Sequence, residues 1–263
     1  MKLLENIAVH AAFASESHKR ALQKPNEDRL LCDPENGIFI VLDGVTRVHA
    51  EYEQHPYDSA AADVADLFIE AVHCAILQDL RNPRWDLLLK NAIHEANGVL
   101  HTYRAKQSED KWVFYPAATG IVSLIRNNTL YYAAAGDCLG MLLRGNAKQL
   151  FGCQWQLEAV DKLMVTKQER YSRYCNHPES PLSYTVFNGD DGVADAVTYS
   201  YLDLHPADTL ILASDGLSDY LKYEPASILR EQTPQQMIDC SEKYDKPPFA
   251  DYADDKALIK LQL

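Results

Sequence analysis

Two apolar runs in this 263-residue chain end in the same dipeptide. Ile38-Phe39-Ile40-Val41-Leu42 leads into Asp43-Gly44, and Leu210-Ile211-Leu212-Ala213 leads through Ser214 into Asp215-Gly216. An Asp at the end of an apolar strand is held at the rim of a core, and a neighbouring Gly lets an ion or ligand approach the backbone. Asp-Gly is equally an ordinary turn dipeptide. Two further acidic pairs, Glu27-Asp28 after Pro25-Asn26 and Asp254-Asp255 before the last apolar run, enlarge the set of candidate ligands. Carboxylates gathered into one pocket repel unless protons or cations neutralise them, and hard oxygen donors of this kind suit magnesium or manganese. Spacing along the chain leaves open whether the four places converge or form four solvated turns.

The elements that would position these groups follow from hydrophobic period. Residues 7–13 and 37–42 are short, apolar and bounded by polar or turn residues, and they predict strands. Beyond Pro56, Ala60, Val64, Leu67, Phe68, Ala71, Val72, Ala75 and Ile76 recur every three or four residues, the stripe of an amphipathic helix. A second stripe, from about residue 85 to 103, predicts a partner helix packed antiparallel to the first. After Pro116 the period returns to strands at 121–125, 129–135 and 139–143, turning at Asn127-Asn128 and Gly136-Asp137, which predicts a β-meander. Residues 151–196 carry no regular period and contain Pro178, Pro181, Gly189 and Gly192, so they predict a loop-rich insertion. Strands resume at 196–204 and 209–213, short helices follow, and 257–261 makes a last strand. The order predicts an α+β single domain over residues 1–263, sheet on sheet with helices outside.

Composition narrows the function. With 47% hydrophobic residues the chain can bury a full core. Its formal net charge of −13 repels phosphate backbones and anionic lipid surfaces, which argues against nucleic-acid and membrane partners. No apolar run approaches the roughly 20 residues of a membrane span. Glu5, Asn6 and His10 interrupt any signal-peptide core. The six cysteines are scattered with no C-x-x-C pair, so neither a zinc knuckle nor a redox motif is spelled out. Reduced thiols, a cytoplasmic location and a monomer are expected.

Taken in order, the motifs resemble the metal-dependent protein serine/threonine phosphatases of type 2C (PPM type), in a divergent bacterial-like form. The resemblance rests on Asn26-Glu27-Asp28-Arg29, on the run ending Leu42-Asp43-Gly44, on Ala118-Thr119-Gly120, on Ala135-Gly136-Asp137-Cys138, on ILASDGLSDYL from Ile211 to Leu221, and on Asp254-Asp255-Lys256-Ala257-Leu258-Ile259. It implies a four-layer α-β-β-α sandwich of two antiparallel sheets with helix pairs outside. It implies two Mg2+ or Mn2+ ions, bridged by Asp43, with the Gly44 carbonyl on one and Asp215 and Asp254 on the other. Glu27 and Asp28 match the acidic pair that holds metal-bound waters or the second ion. Asp137, together with Asp215, matches a third and weaker ion position, with a plain turn role the alternative. The activity implied is removal of phosphate from phosphoserine and phosphothreonine proteins by a water that two metal ions activate, with no protein nucleophile. The substrate would be a phosphoprotein, for example the target of a partner serine/threonine kinase.

Two positions depart from the family pattern. Gln23 stands where the phosphate-binding Arg is usual, and an amide cannot offer the charged fork that suits phosphate. His18, Arg20 and Lys24 are the nearby cations that could replace it, and His18 and Arg20 join Glu27 and Asp28 as candidate catalytic residues. Val45 stands where eukaryotic members carry a His, with Arg47 and His49 close by. Residues 151–196 fall where the family has its flap. The missing Arg supports an alternative reading as a pseudophosphatase acting as a regulatory binding module, and a hydrolase of small phosphate esters is a third.

Overall fold

All five side chains of Ile38–Leu42 are fully buried, an unbroken apolar run where a surface strand would alternate. In a computed structural model, which describes residues 8–14, 26–45, 60–106, 115–245 and 254–263, the reason is that the strand divides its residues between two cores. Ile38, Ile40 and Leu42 point into a helix-covered layer, whereas Phe39 and Val41 point between two stacked sheets. The same division puts Leu210 and Leu212 between the sheets and Ile211 and Ala213 under a second helical layer.

One five-stranded antiparallel sheet runs in the order β1 (Ala8–Ala14), β10 (Lys256–Gln262), β9 (Thr209–Ala213), β6 (Leu139–Arg144), β7 (Ala147–Phe151). The other runs β2 (Arg29–Asp33), β3 (Ile38–Val45), β4 (Ala117–Arg126), β5 (Thr129–Ala135), β8 (Thr198–Asp203). Helices α1 (Ala60–Gln78) and α2 (Trp85–Ala105) cover the second sheet with their predicted stripes, and Phe68 stacks on Phe187 at 4.0 Å between ring centres. The 151–196 segment holds α3 (Trp155–Asp161), α4 (Lys167–Arg173) and α5 (Val193–Ala196). Three short helices, α6 (Ser218–Tyr223), α7 (Ala226–Glu231) and α8 (Pro234–Ser241), cover the first sheet. The architecture is the expected α-β-β-α sandwich.

Local chemistry corrects several sequence expectations. The predicted meander is not one: β4 and β5 pair in one sheet, but β6 crosses to the other and pairs β7 and β9. Gly136, at φ +77, makes that crossing in the left-handed region, and a Cβ there would lie 2.3 Å from Thr119 Cγ2. Strands β2 and β7 were not foreseen, because their residues lack the continuous apolar run of a central strand and both strands lie at sheet edges. Residues 151–196 are less irregular than the sequence suggests, since Thr166 and Glu169 close a capping box that starts α4. Among the described residues no helix is long and apolar enough to cross a membrane, and all six cysteines are free thiols.

Close backbone packing predicts two glycine substitutions of opposite sign. A Cβ on Gly216 would fall 2.2 Å from the Asp255 carbonyl oxygen, a backbone atom that cannot swing away. Gly216→Ala should therefore destabilise by about 2 kcal/mol, the usual scale of overpacking. Gly98 lies in α2 with nothing within 4 Å of its missing Cβ, and Gly98→Ala should stabilise by roughly 0.5–1 kcal/mol through helix propensity. Urea denaturation of both variants beside the parent checks the pair, and shifts of equal sign would contradict it.

Candidate metal centre

Antiparallel register gathers one end of each central strand at a single rim of the sandwich. Asp43 sits near the end of β3 opposite Thr119 near the start of β4. Asp137 lies in the crossing from β5 to β6, and Leu139 at the start of β6 pairs Ala213 at the end of β9. Asp215 follows two residues later, in a 3-10 turn. Leu258 near the start of β10 also pairs Ala213, so Asp254 and Asp255 arrive at the same rim. Four places far apart in the sequence thus meet because strand ends meet.

Asp43, Asp137 and Asp215 form the centre: one carboxylate oxygen of each lies within 4.8 Å of the other two, and all three residues are half-buried. Thr119 Oγ1 donates to Asp137 Oδ1 at 3.1 Å, which links that carboxylate to the strand beside Asp43. Glu27 and Asp28 are buried behind them, 0% and 5% exposed. The Glu27 backbone N–H donates to Asp255 Oδ2 at 3.0 Å, and the Asp28 N–H donates to Asn26 Oδ1 at 2.8 Å. Arg29 fixes this turn, its guanidinium donating to the Asn26 and Asp28 carbonyls and pairing with Asp66 of α1. Gly44 is needed for the same approach, since a Cβ there would meet the Glu27 carbonyl oxygen at 2.7 Å. The place of the missing Cβ is filled by the Glu27 backbone and Cβ and by the Ala61 backbone, so the glycine lets β3, the Glu27 turn and α1 pack closely at the rim.

Burial pushes the Asp28 carboxyl well above the usual carboxylate range. A hydrogen bond with Ser214 opposes that rise, and the nearby charges of Asp215, Asp255 and Asp254 add to it. Ser214 is fully buried, accepts from the Ala257 N–H at 2.9 Å and so ties β9, β10 and Asp28 together. The buried Cys138 thiol is pushed up by burial and then by Asp43, Asp137, Asp215 and Asp28. Asp28 Oδ2 has no hydrogen-bond partner although it is buried. An orphaned carboxylate oxygen behind three crowded carboxylates fits divalent, oxygen-seeking cations, which would supply the missing positive charge.

The sequence-predicted residues are distributed as follows. Asp43, Asp137 and Asp215 come together, with Glu27, Asp28 and Gly44 packed behind or beside them. Asp254 is close enough to raise Asp28 and lies outside the three-carboxylate group. Asp137 is at once a turn residue and a member of the cluster. His18, Arg20, Gln23, Lys24, Arg47 and His49 lie outside the described residues. Sequence reasoning missed the supporting roles of Thr119, Ser214, Arg29 and Gln154. The first three sit inside or beside quoted motifs, whereas nothing in the sequence marks Gln154.

No protein-family model matches the sequence, and no curated protein matches it. Solved structures do match over almost the whole chain. The Mycobacterium tuberculosis serine/threonine phosphatase PstP/Ppp aligns with TM-score 0.68 at 19% identity, covering 98% of each chain. The catalytic domain of PstP in complex with two manganese ions aligns with TM-score 0.65 at 17% identity, covering 97% of each. PppA, a regulatory component of T6SS in Pseudomonas aeruginosa, aligns with TM-score 0.63 at 18% identity, again covering 97% of each. At these identities the shared property is the fold: this chain has the α-β-β-α fold of the PPM-type serine/threonine phosphatases.

Proposed function

We propose that the protein is a metal-dependent phosphomonoester hydrolase acting on phosphoserine and phosphothreonine proteins. The observation that carries this reading is the convergence of Asp43, Asp137 and Asp215 at one rim, with the unpartnered Asp28 Oδ2 behind them. Asp43, Asp215 and the Gly44 carbonyl would hold two Mg2+ or Mn2+ ions together with Asp254, Glu27 and Asp28. Asp137 would hold a further ion with Asp215. When bound, such ions polarise phosphoryl oxygens and make water a better nucleophile near neutral pH. The chain's own part is to fix the carboxylates in place. Ser214 and the Arg29 guanidinium hold Asp28 and its turn, and Thr119 holds Asp137. The manganese-bound relative supports the choice of a divalent ion.

The pseudophosphatase alternative rests on Gln23 in place of the phosphate-binding Arg. Against it, a retained cluster of repelling carboxylates is costly to a protein that holds no cation. The test is hydrolysis of an aryl phosphate and of a phosphothreonine peptide by purified protein with Mn2+, Mg2+ or chelator. Metal-dependent turnover of the peptide is expected. Turnover of the aryl phosphate alone would point to small esters. No turnover of either substrate, with metal still bound by calorimetry, would favour the binding module.

A further inference from the structure

We propose that Gln154 is a positioning residue that sets Asp137 within the carboxylate cluster and pins it to the 151–196 segment; this rests on the metal-centre reading above. Gln154 follows β7 and immediately precedes α3, and it is only 7% exposed. Its side-chain Oε1 accepts two backbone N–H groups, from Gly136 at 2.9 Å and from Thr185 at 2.8 Å. Its own backbone N–H donates to the Gly136 carbonyl at 2.7 Å, so both the N–H and the C=O of Gly136 are held by one residue. Its Nε2 donates to Thr185 Oγ1 at 3.3 Å, and that hydroxyl donates on to the Ala196 carbonyl at 2.9 Å.

The grip falls on the residue that aims Asp137. Gly136 adopts φ +77 against the Thr119 side chain, and Thr119 Oγ1 in turn donates to the Asp137 carboxylate. The turn is therefore fixed from two sides, by Thr119 on Asp137 itself and by Gln154 on the peptide before it. One buried carbonyl oxygen serving two N–H groups leaves both unsatisfied when it is removed. The segment end is equally dependent: Thr185 has its N–H and its hydroxyl on the same amide. Displacement of either end must then be felt at the other, and an ion held by Asp137 with its neighbours depends on where Gln154 places the turn. Groups that orient metal ligands typically change affinity by about 10–100-fold when lost.

The test is Mn2+ calorimetry, without substrate, on the parent, Gln154→Met, Asp137→Asn and the double variant. Met is close in volume and lacks the acceptor. Gln154→Met is expected to weaken by about tenfold or more the same binding event that Asp137→Asn removes, with the other events within about threefold. The double variant should lose no more than Asp137→Asn alone, as residues acting through one another do. A parent-like isotherm for Gln154→Met, or equal weakening of every event, would overturn the inference while leaving the metal centre intact. A parent that binds no Mn2+ would overturn both. If Gln154→Met does not fold, hydrogen exchange carries the test with the other proteins. Saturating Mn2+ should slow exchange at the Thr185 amide in the parent and not in Asp137→Asn, and indifference of that amide to Mn2+ in the parent counts against the coupling.

Discussion

Asp215→Asn is expected to lower metal-dependent phosphatase turnover by about a thousandfold or more, the scale of several kcal/mol of lost ion-derived stabilisation. At the same time it should raise the melting temperature of the metal-free protein. Both effects come from one feature, three carboxylate oxygens within 4.8 Å of one another at a half-buried rim. With no cation present they repel one another and Asp28, so deleting one charge relieves roughly 1–3 kcal/mol at the effective dielectric of a partly exposed site. For a domain of this length that is a rise of roughly 2–12 °C. Mn2+ at a hundred times its dissociation constant should stabilise the parent by about 2.7 kcal/mol, and it should stabilise the variant far less. Thermal melts with chelator or Mn2+, run beside the peptide assay, read both effects. Turnover within tenfold of the parent, or an unchanged Mn2+ shift, would remove Asp215 from the centre. A merely structural Asp215 predicts the opposite sign in chelator, because its loss would then lower the melting temperature.

Strand cores and helix stripes were the most legible parts of the sequence. The run Ile38–Leu42 reads as a strand because both of its faces are buried, and the α1 and α2 stripes read as helices because each has only one buried face. The acidic residues were legible as candidates because carboxylates at strand ends are costly without a partner. What the local pattern could not show is which sheet a strand joins. Gly136-Asp137 has the chemistry of a hairpin turn, yet its φ of +77 serves a crossing between sheets, and that crossing is what delivers Asp137 to Asp43 and Asp215. Neutral polar supports were equally hidden. Thr119, Ser214 and Gln154 act through hydrogen bonds whose partners lie 18 to 186 residues away, from Thr119 to Asp137 and from Ser214 to Asp28. The burial of Lys256 and Lys260 was hidden too, because nothing local marks which lysine of a strand will face a helical layer.

Those lysines underlie the largest expected stability effect: Lys260→Met should cost about 3 kcal/mol, one net hydrogen bond at a time. On β10, Lys256, Leu258 and Lys260 alternate onto the face beneath the short helices, with Leu258 packed in their core. A helix of six to eight residues leaves a large share of its carbonyls without intrahelical partners, and burying them unpaired is costly. Here the sheet supplies the donors. Lys260 Nζ donates to the Leu229, Arg230 and Gln232 carbonyls at 3.0, 2.6 and 2.6 Å, closing the end of α7. Lys148 on β7 does the same for the Leu221, Lys222 and Glu224 carbonyls at the end of α6, and Lys256 donates to the Ser241 hydroxyl and the Asp245 carboxylate at the end of α8. Burial, and then the Arg230 charge, push the Lys260 ammonium below its ordinary range, a cost that the three carbonyls and the helix-end dipole oppose. Met fills a similar volume with no donor, leaving three carbonyls without their partner, that of Leu229 buried and those of Arg230 and Gln232 part-buried. For this chain length the loss corresponds to roughly 6–12 °C in melting temperature. Lys148→Met should cost less, because Lys148 is only half-buried and water can replace part of what it donates. Urea midpoints for the two variants order the effects. A Lys260→Met loss under about 1 kcal/mol would mean that burying the charge cancels its hydrogen bonds, and apolar packing alone would then fasten the helices to the sheet.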